Sequence, residues 1–455
     1  MDNQIPSLIQ RPQLNQSVSR PQPRLLKSHH SPQERDMTGN RTKAGKARFG
    51  ADAMAPATDT LPGVFPREMG PNAMAYLQEV IDSGLGSNMI QRFTDYLAEM
   101  HGRKYCIGTT GCTQAIFAAM IAMDFEPGDE IIVSPISDYG TIAGILLENY
   151  IPVYADAAPG AALIDPDSIE QRITDRTRAI MVVHKLGLCP DMARIMAIAR
   201  RNDLIVIEDV CQAILAKCNG QIAGTFGDLA CFSFDAEKTC GGDVGGAVLT
   251  DDPDIFKRLE QRVPGRGAVT EPGFGRVYLN RGFALQIPQC SAAVTLANLE
   301  ILPPQVKQRQ ATAAALDRLI DDIPGLSSYN VPDGHTHSYW MYGFIVDPDA
   351  FTCTVDQFAQ QVEAAGIQAA GLGRYYLLAD GVPFLRDQAL ARQFPYSQPP
   401  ASYDYYPDSY TGDAVPHARD FLERWVRWFW TEKYDMNHVD LMGRLIRDIA
   451  ERHRR

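Results

Sequence analysis

The sequence predicts an α/β protein, with a mainly parallel central sheet in a large domain and a smaller C-terminal α/β domain after it. Three observations carry this. Between Lys104 and Thr250, short apolar runs alternate with longer amphipathic ones, the pattern of βαβ units whose sheet is covered on both faces. The chemically interesting polar residues fall just after those apolar runs, where such sheets place their ligands. At 455 residues, the chain is too long for one average domain.

The elements follow in order. Residues 1–60 are rich in Gln, Pro, Ser and Arg and lack sustained periodicity, so a disordered basic extension is expected there. The large domain is placed at 61–324 and the small one at 325–455. Pro71 suits a first helical turn, and Met74, Leu77, Val80 and Ile81 form an apolar stripe that stops at Gly84. Strands are expected at Tyr105–Ile107, Glu130–Val133, Pro152–Ala155, Ala179–Val183, Leu204–Ile207, Ala230–Phe234 and Gly246–Leu249. Helices are expected at Thr113–Met123, Tyr139–Asn149 and Met192–Arg201. A further helix starts near Pro288, where Pro303 and Pro304 are expected to bend or interrupt it. The second region reads as a strand at Tyr339–Val346, a helix near Val355–Ala365, a polar aromatic stretch from Arg374 to Tyr410, and helices near Ala418–Trp428 and Asn437–Arg452.

Composition narrows the function classes. A net charge of -12 disfavours nucleic acid or an anionic membrane surface as partner. The average hides an asymmetry, because residues 1–50 carry nine Lys or Arg between Arg11 and Arg48. Nine cysteines form no CxxC pair, which reads as reduced thiols in the cytoplasm rather than a disulfide framework or a zinc site, and no metal is expected. No run approaches the ~20 apolar residues of a membrane span, and the N-terminus lacks the apolar core of a secretory signal.

Four features sit at strand ends. The segment SFDAEK (233–238) follows an apolar strand and precedes the glycines 241, 242, 245 and 246. A Schiff-base lysine needs partial desolvation and small neighbours, and these glycines supply the room beside Lys238; a solvated loop lysine is the plain alternative. In VIEDVCQA, Asp209 ends a buried strand, an expensive place for a carboxylate unless it meets a cation or caps a helix. The protonated pyridine nitrogen of pyridoxal 5'-phosphate (PLP) is such a cation, and Gln212 sits where it can reach the cofactor's phenolic oxygen. In IGTTGCTQAI, a strand turns through Gly108 and Gly111 into a helix near Thr113, which offers backbone N–H groups to a phosphate or simply makes a turn; it is not a Walker A motif. In SPISDYG, Tyr139 follows a strand and is placed either to stack on a flat ring or to pack under its loop.

These segments resemble the DegT/StrS family of PLP-dependent sugar and cyclitol aminotransferases. The likeness runs from about Phe65 to the C-terminus through PGDEIIVSP (127–135), ITDRTRAIMVVH (173–184), PDMARIMAIAR (190–200), VIEDVCQA (206–213) and GDLACFSFDAEK (227–238). It implies a type I aminotransferase fold and a homodimer with active sites near the subunit interface. It also implies that Lys238 carries the cofactor, Asp209 partners the pyridinium, Gln212 lies near the ring oxygen and Ser233 binds phosphate. Gly111, Cys112 and Thr113 cover the phosphate turn, and Tyr139 matches the stacking aromatic. Two stretches depart from the family pattern. GGDVGG (241–246) replaces a TGEGG-like run, and GFALQI (282–287) puts Ala284 and Gln286 where Asn and Arg are usual, so either Asn280 or Arg281 takes over the phosphate contact or the subunit contact has changed.

The implied reaction moves an amino group from glutamate or glutamine to a keto-sugar or cyclitol ketone. Lys238 shuttles the proton and Asp209 keeps the ring nitrogen charged. HTHSYW (335–340) and GLGRYY (371–376) are the segments expected to shape the substrate pocket, with Arg374 available to a carboxylate or phosphate or else structural, and His184 read as structural. Related dehydratases replace the lysine with histidine, so Lys238 favours aminotransfer. Elimination on the same cofactor, or a non-catalytic regulator on the same fold, are the other readings.

Overall fold

The computed structural model describes residues 60–386, 393–398 and 408–455. The basic extension expected over 1–60 lies, apart from Thr60, outside the described residues, as do parts of the stretch from Arg374 to Tyr410.

Seven strands form the central sheet: β1 (Tyr105–Thr109), β2 (Glu130–Val133), β3 (Ile151–Tyr154), β4 (Thr177–Val183), β5 (Ile205–Asp209), β6 (Leu229–Ser233) and β7 (Gly246–Thr250). Their order is β1-β7-β6-β5-β4-β2-β3. Pairs β2/β3, β2/β4, β4/β5 and β5/β6 are parallel, while β7 runs antiparallel to β6 and β1. The mainly parallel sheet expected from the sequence is therefore present, with one reversed strand near its edge. β2 and β7 are buried at every residue, which is why they read as continuous apolar runs rather than as alternation.

Helices α1 (Ala73–Asp82), α2 (Met89–His101), α3 (Cys112–Met123), α4 (Gly140–Leu147), α5 (Pro166–Arg172), α6 (Met192–Arg201) and α7 (Pro253–Arg262) accompany this sheet. Aspartates start three of them. Asp165, Asp191 and Asp252 each accept a backbone N–H of the first turn, and Pro166 and Pro253 sit at the opening helical position. In α1 the expected stripe is only partly buried: Val80 is enclosed, but Met74 and Ile81 are 76% and 62% exposed.

The long helix α8 (Gln289–Asp321) runs unbroken through Pro303 and Pro304. Both prolines lie on its exposed side, while Leu302 and Val306 keep the packed side continuous. The tertiary contacts of that side override the local cost of two missing N–H donors.

A hairpin, β8 (Ala268–Glu271) with β9 (Gly275–Tyr278), precedes α8. After α8 comes a second, antiparallel sheet in the order β10 (Leu326–Ser328), β11 (Met341–Val346), β13 (Trp425–Phe429), β12 (Gly371–Leu372). Helices α9 (Val355–Ala364), α10 (Pro416–Arg424) and α11 (Met436–His453) complete this region. The helix expected at Ala418–Trp428 thus ends at Arg424, and residues 425–429 are a strand. Trp, Val and Phe suit a pleated surface, and β13 pairs with strands on both sides.

Candidate active site

The carboxyl ends of β1, β5 and β6 and the N-terminus of α3 converge on one cavity of about 470 Å³. Lys238 lies in the turn after β6, where its backbone N–H donates to the Asp235 carbonyl at 2.9 Å. Burial disfavours charge on its amine, but the Cys211 and Cys112 sulfurs and the Asp209 and Asp235 carboxylates oppose this and hold the amine above its ordinary range. Its Nζ stands 4.2 Å from the centroid of the Trp340 ring, and the Trp340 indole N–H donates to the Glu237 carbonyl at 3.1 Å. The segment HTHSYW therefore reaches the site through Trp340.

Asp209 ends β5 with a side chain that is almost fully buried. Oδ2 accepts from the Thr141 hydroxyl at 2.8 Å, and Oδ1 accepts from the Cys211 N–H at 3.1 Å. It makes no ion pair among the described residues, yet it lines the cavity, so the arrangement fits an incoming cationic N–H. Gln212 accepts the Leu186 N–H at 2.8 Å through Oε1, which fixes the carboxamide and leaves Nε2 as a donor. Ser233 lines the same cavity from the end of β6.

Gly111, Cys112, Thr113 and Gln114 form the wall where α3 begins. No side chain caps this helix, so its first N–H groups suit a phosphate. β7 packs tightly behind the turn: a Cβ on Gly246 would stand 2.4 Å from the Gly111 carbonyl, so only glycine admits this approach. Tyr375, Tyr376, Phe429 and Val244 also line the cavity.

Several expected residues lie elsewhere. Tyr139 is 45% exposed and packs edge-on to Phe384 at 6.1 Å, outside the cavity wall. Its helical backbone at the start of α4 turns the ring away, and the neighbouring Asp138 lines the cavity instead. Arg374 forms a bidentate pair with Asp356, at 2.7 and 2.8 Å, and bonds Glu423 at 2.7 Å. It does not line the cavity; only Tyr375 and Tyr376 of GLGRYY do. Arg281 pairs with Glu148 at 2.8 Å and Asn280 accepts from Arg262 at 3.4 Å, so neither faces this cavity within the chain.

His184 is structural. Its Nε2 bonds the Glu208 carboxylate at 2.8 Å, and Glu208 also accepts the N–H groups of Gly224, Phe226 and Gly227, each at 2.7 Å. Burial pushes His184 down, but the Cys189 sulfur and the Glu208 carboxylate reverse this and carry the imidazole up to about 10.

Sequence reasoning missed two residues near the centre. Thr141, one position inside α4, holds Asp209. Lys185, directly after His184, is fully buried; its Nζ has no hydrogen-bond partner among the described residues and lies 3.4 Å from the Tyr376 ring centroid. Burial pushes its amine down to about 7. The signal that marked the other site residues, a polar side chain just after a strand, was available for Lys185 as well.

Comparison with known proteins accords with this geometry. Residues 67–402 match the model of the DegT/DnrJ/EryC1/StrS aminotransferase family. The spore coat polysaccharide biosynthesis protein SpsC of Bacillus subtilis (strain 168) is 30% identical over 290 residues, covering 61% of this chain and 74% of that protein. The L-glutamine:2-deoxy-scyllo-inosose aminotransferase of Micromonospora echinospora is 31% identical over 314 residues, covering 65% and 74%. In fold, the chain is similar to Helicobacter pylori PseC, an aminotransferase involved in the biosynthesis of pseudoaminic acid, with a TM-score of 0.73 at 20% identity over 86% of this chain and 99% of that one.

Proposed function

The chain belongs to the DegT/DnrJ/EryC1/StrS aminotransferase family, and from that premise we propose that it uses PLP to move the amino group of glutamate or glutamine onto the ketone of a nucleotide-linked sugar or of a cyclitol. The observation that carries this reading is the buried Asp209 carboxylate, which lacks an ionic partner among the described residues and lines the same cavity as Lys238.

PLP, when bound, supplies the electron sink that makes an amino acid's α-proton removable. The chain's own residues then divide the work. Lys238 would hold the cofactor through Nζ, and the same amine would carry the proton to and from the substrate. Asp209, oriented by Thr141 and the Cys211 N–H, holds the proton on the ring nitrogen. Gln212 offers Nε2 to the ring oxygen, while Ser233 and the first N–H groups of α3 receive the phosphate. Trp340, Tyr375, Tyr376 and Phe429 give the cavity an aromatic wall.

The protein acts as a homodimer in this reading. Around the β8–β9 hairpin, Phe274, Tyr278, Leu279 and Phe283 are all more than half exposed, an apolar surface that a second copy would cover. A cytoplasmic location accords with nine free cysteines, and no described helix is long and apolar enough to cross a membrane.

The test is to incubate the protein with PLP, glutamine or glutamate, and a panel of nucleotide-linked keto-sugars and keto-cyclitols, and to detect amino products by mass spectrometry. Product is expected from the wild type, with a loss of about 100-fold or more in Asp209→Asn. Consumption of donor with no aminated product from any ketone would contradict the proposed acceptor class.

A further inference from the structure

Among the described residues, the charged side chains lining the cavity are Asp138, Asp209, Asp235, Glu237 and Lys238, four carboxylates and one amine. In the function proposed above, on which this inference rests, that amine bonds the cofactor. An amino-acid donor must nevertheless bring its own carboxylate out of water, at a cost that a cation or several N–H donors must offset. Among the described residues, the lining provides no second cation.

Among the described residues, Arg427 lies close by and holds no carboxylate. Arg427 sits in the middle of β13, where Val426 and Trp428 pack into the C-terminal core. Alternation along the strand puts Arg427 on the other face with Trp425 and Phe429, and Phe429 is part of the cavity wall. Its register neighbours on both sides are glycines, Gly343 and Gly371, so no side chain flanks it across the sheet. Its Cζ lies 5.9 Å from the ring centroid of Tyr375, which also lines the cavity.

The side chain is half-buried, its buried Nε has no hydrogen-bond partner, and the guanidinium forms no ion pair among the described residues. Arg262, Arg309 and Arg374, by contrast, each hold a carboxylate. A partly desolvated guanidinium without an acceptor is costly in the free protein and gains most when an anion arrives. Among the described residues Lys185 is another nearby cation, but its amine is buried against the Tyr376 ring and burial has pushed it down to about 7.

We propose that Arg427 is the specificity-determining residue that receives the carboxylate of the amino donor, across the Tyr375 edge of the cavity. A planar fork pairs with a carboxylate through two parallel N–H bonds, which would also orient the donor's amine toward Lys238.

The test uses the full chain with PLP and reads binding directly. Glutarate, the carbon chain of glutamate without its amine, is titrated by calorimetry into the wild type, Arg427→Met and Arg427→Gln, with Arg427→Lys as the conservative variant. Phenylglyoxal labelling of Arg427, read by mass spectrometry, is followed with and without glutarate. The expected result is protection of Arg427, Kd raised by at least about tenfold in Met and Gln, and partial recovery in Lys. Unchanged glutarate affinity in the Met and Gln variants, or no glutarate binding to the wild type, overturns the proposal. Protection by pyrophosphate but not by glutarate also overturns it, because the anion would then belong to the acceptor. Absence of a PLP absorbance band in the same samples would count against the aminotransferase reading, and it leaves the glutarate and labelling results legible on their own.

Discussion

Lys238 and Trp340 meet across 102 residues of sequence, with the amine 4.2 Å from the centroid of the indole ring and the indole N–H bonded to the carbonyl of Glu237, the residue before the lysine. The ring favours an ammonium over a neutral amine. Trp340 therefore both places the Lys238 turn and stabilises the lysine's charge.

Removing that ring should free the amine. In the cofactor-free protein, Trp340→Leu is expected to raise the rate at which an amine-reactive reagent labels Lys238 at fixed pH by about threefold to tenfold, with Trp340→Phe intermediate. Peptide mass spectrometry reads the rate. A slower rate in the Leu variant would contradict this role.

The His184–Glu208 pair should behave as structure. Glu208→Gln leaves a buried imidazole without its carboxylate and disturbs three backbone N–H groups, so a loss of about 3–5 kcal/mol is expected from denaturant unfolding at neutral pH. The sign with pH follows from the shifts. His184 is raised to about 10, so its contribution is full below its ordinary 6.5 and fades as pH rises through 10. Glu208 is lowered, burial being outweighed by His184 and the backbone N–H groups, so its contribution is full above its ordinary 4.5 and is lost as pH falls through the lowered value.

Lys185 has the opposite thermodynamic character. Its amine is pushed down to about 7 from 10.5, so between those values the unfolded chain binds more protons and stability rises with pH. Lys185→Met is expected to raise Tm most at pH 6 to 7, with the gain shrinking toward pH 10. A melting series over that range checks it, and a gain independent of pH would contradict the assignment.

Arg374 should matter little to the reaction. Its partners Asp356 and Glu423 are about half exposed, so Arg374→Ala is expected to cost about 0–1 kcal/mol and to leave KM for both substrates unchanged. A large rise in KM would return it to the substrate pocket.

Much of the site was legible because a parallel sheet delivers its chemistry at strand ends. Lys238, Asp209, Gln212 and Ser233 each follow an apolar run, and all four line one cavity. What stayed hidden depended on side-chain direction or distant contacts. Tyr139 and Asp138 are adjacent, and only the helical backbone at the start of α4 decides which one faces inward. Trp340 could be assigned to the pocket only as part of a segment, since its partner lies 102 residues away. The strand at 425–429 carries an amphipathic pattern that continues α10, and only its pairing with β11 and β12 ends the helix. Arg374 looked available for a ligand because Asp356 and Glu423 are remote in sequence.

The most direct test of the central claim is the absorbance spectrum of the purified protein with PLP, recorded for the wild type and Lys238→Ala before and after adding glutamate or glutamine. A visible-range band is expected in the wild type, bleached by a donor and missing in the variant. A wild type with no Lys238-dependent band would contradict the claim.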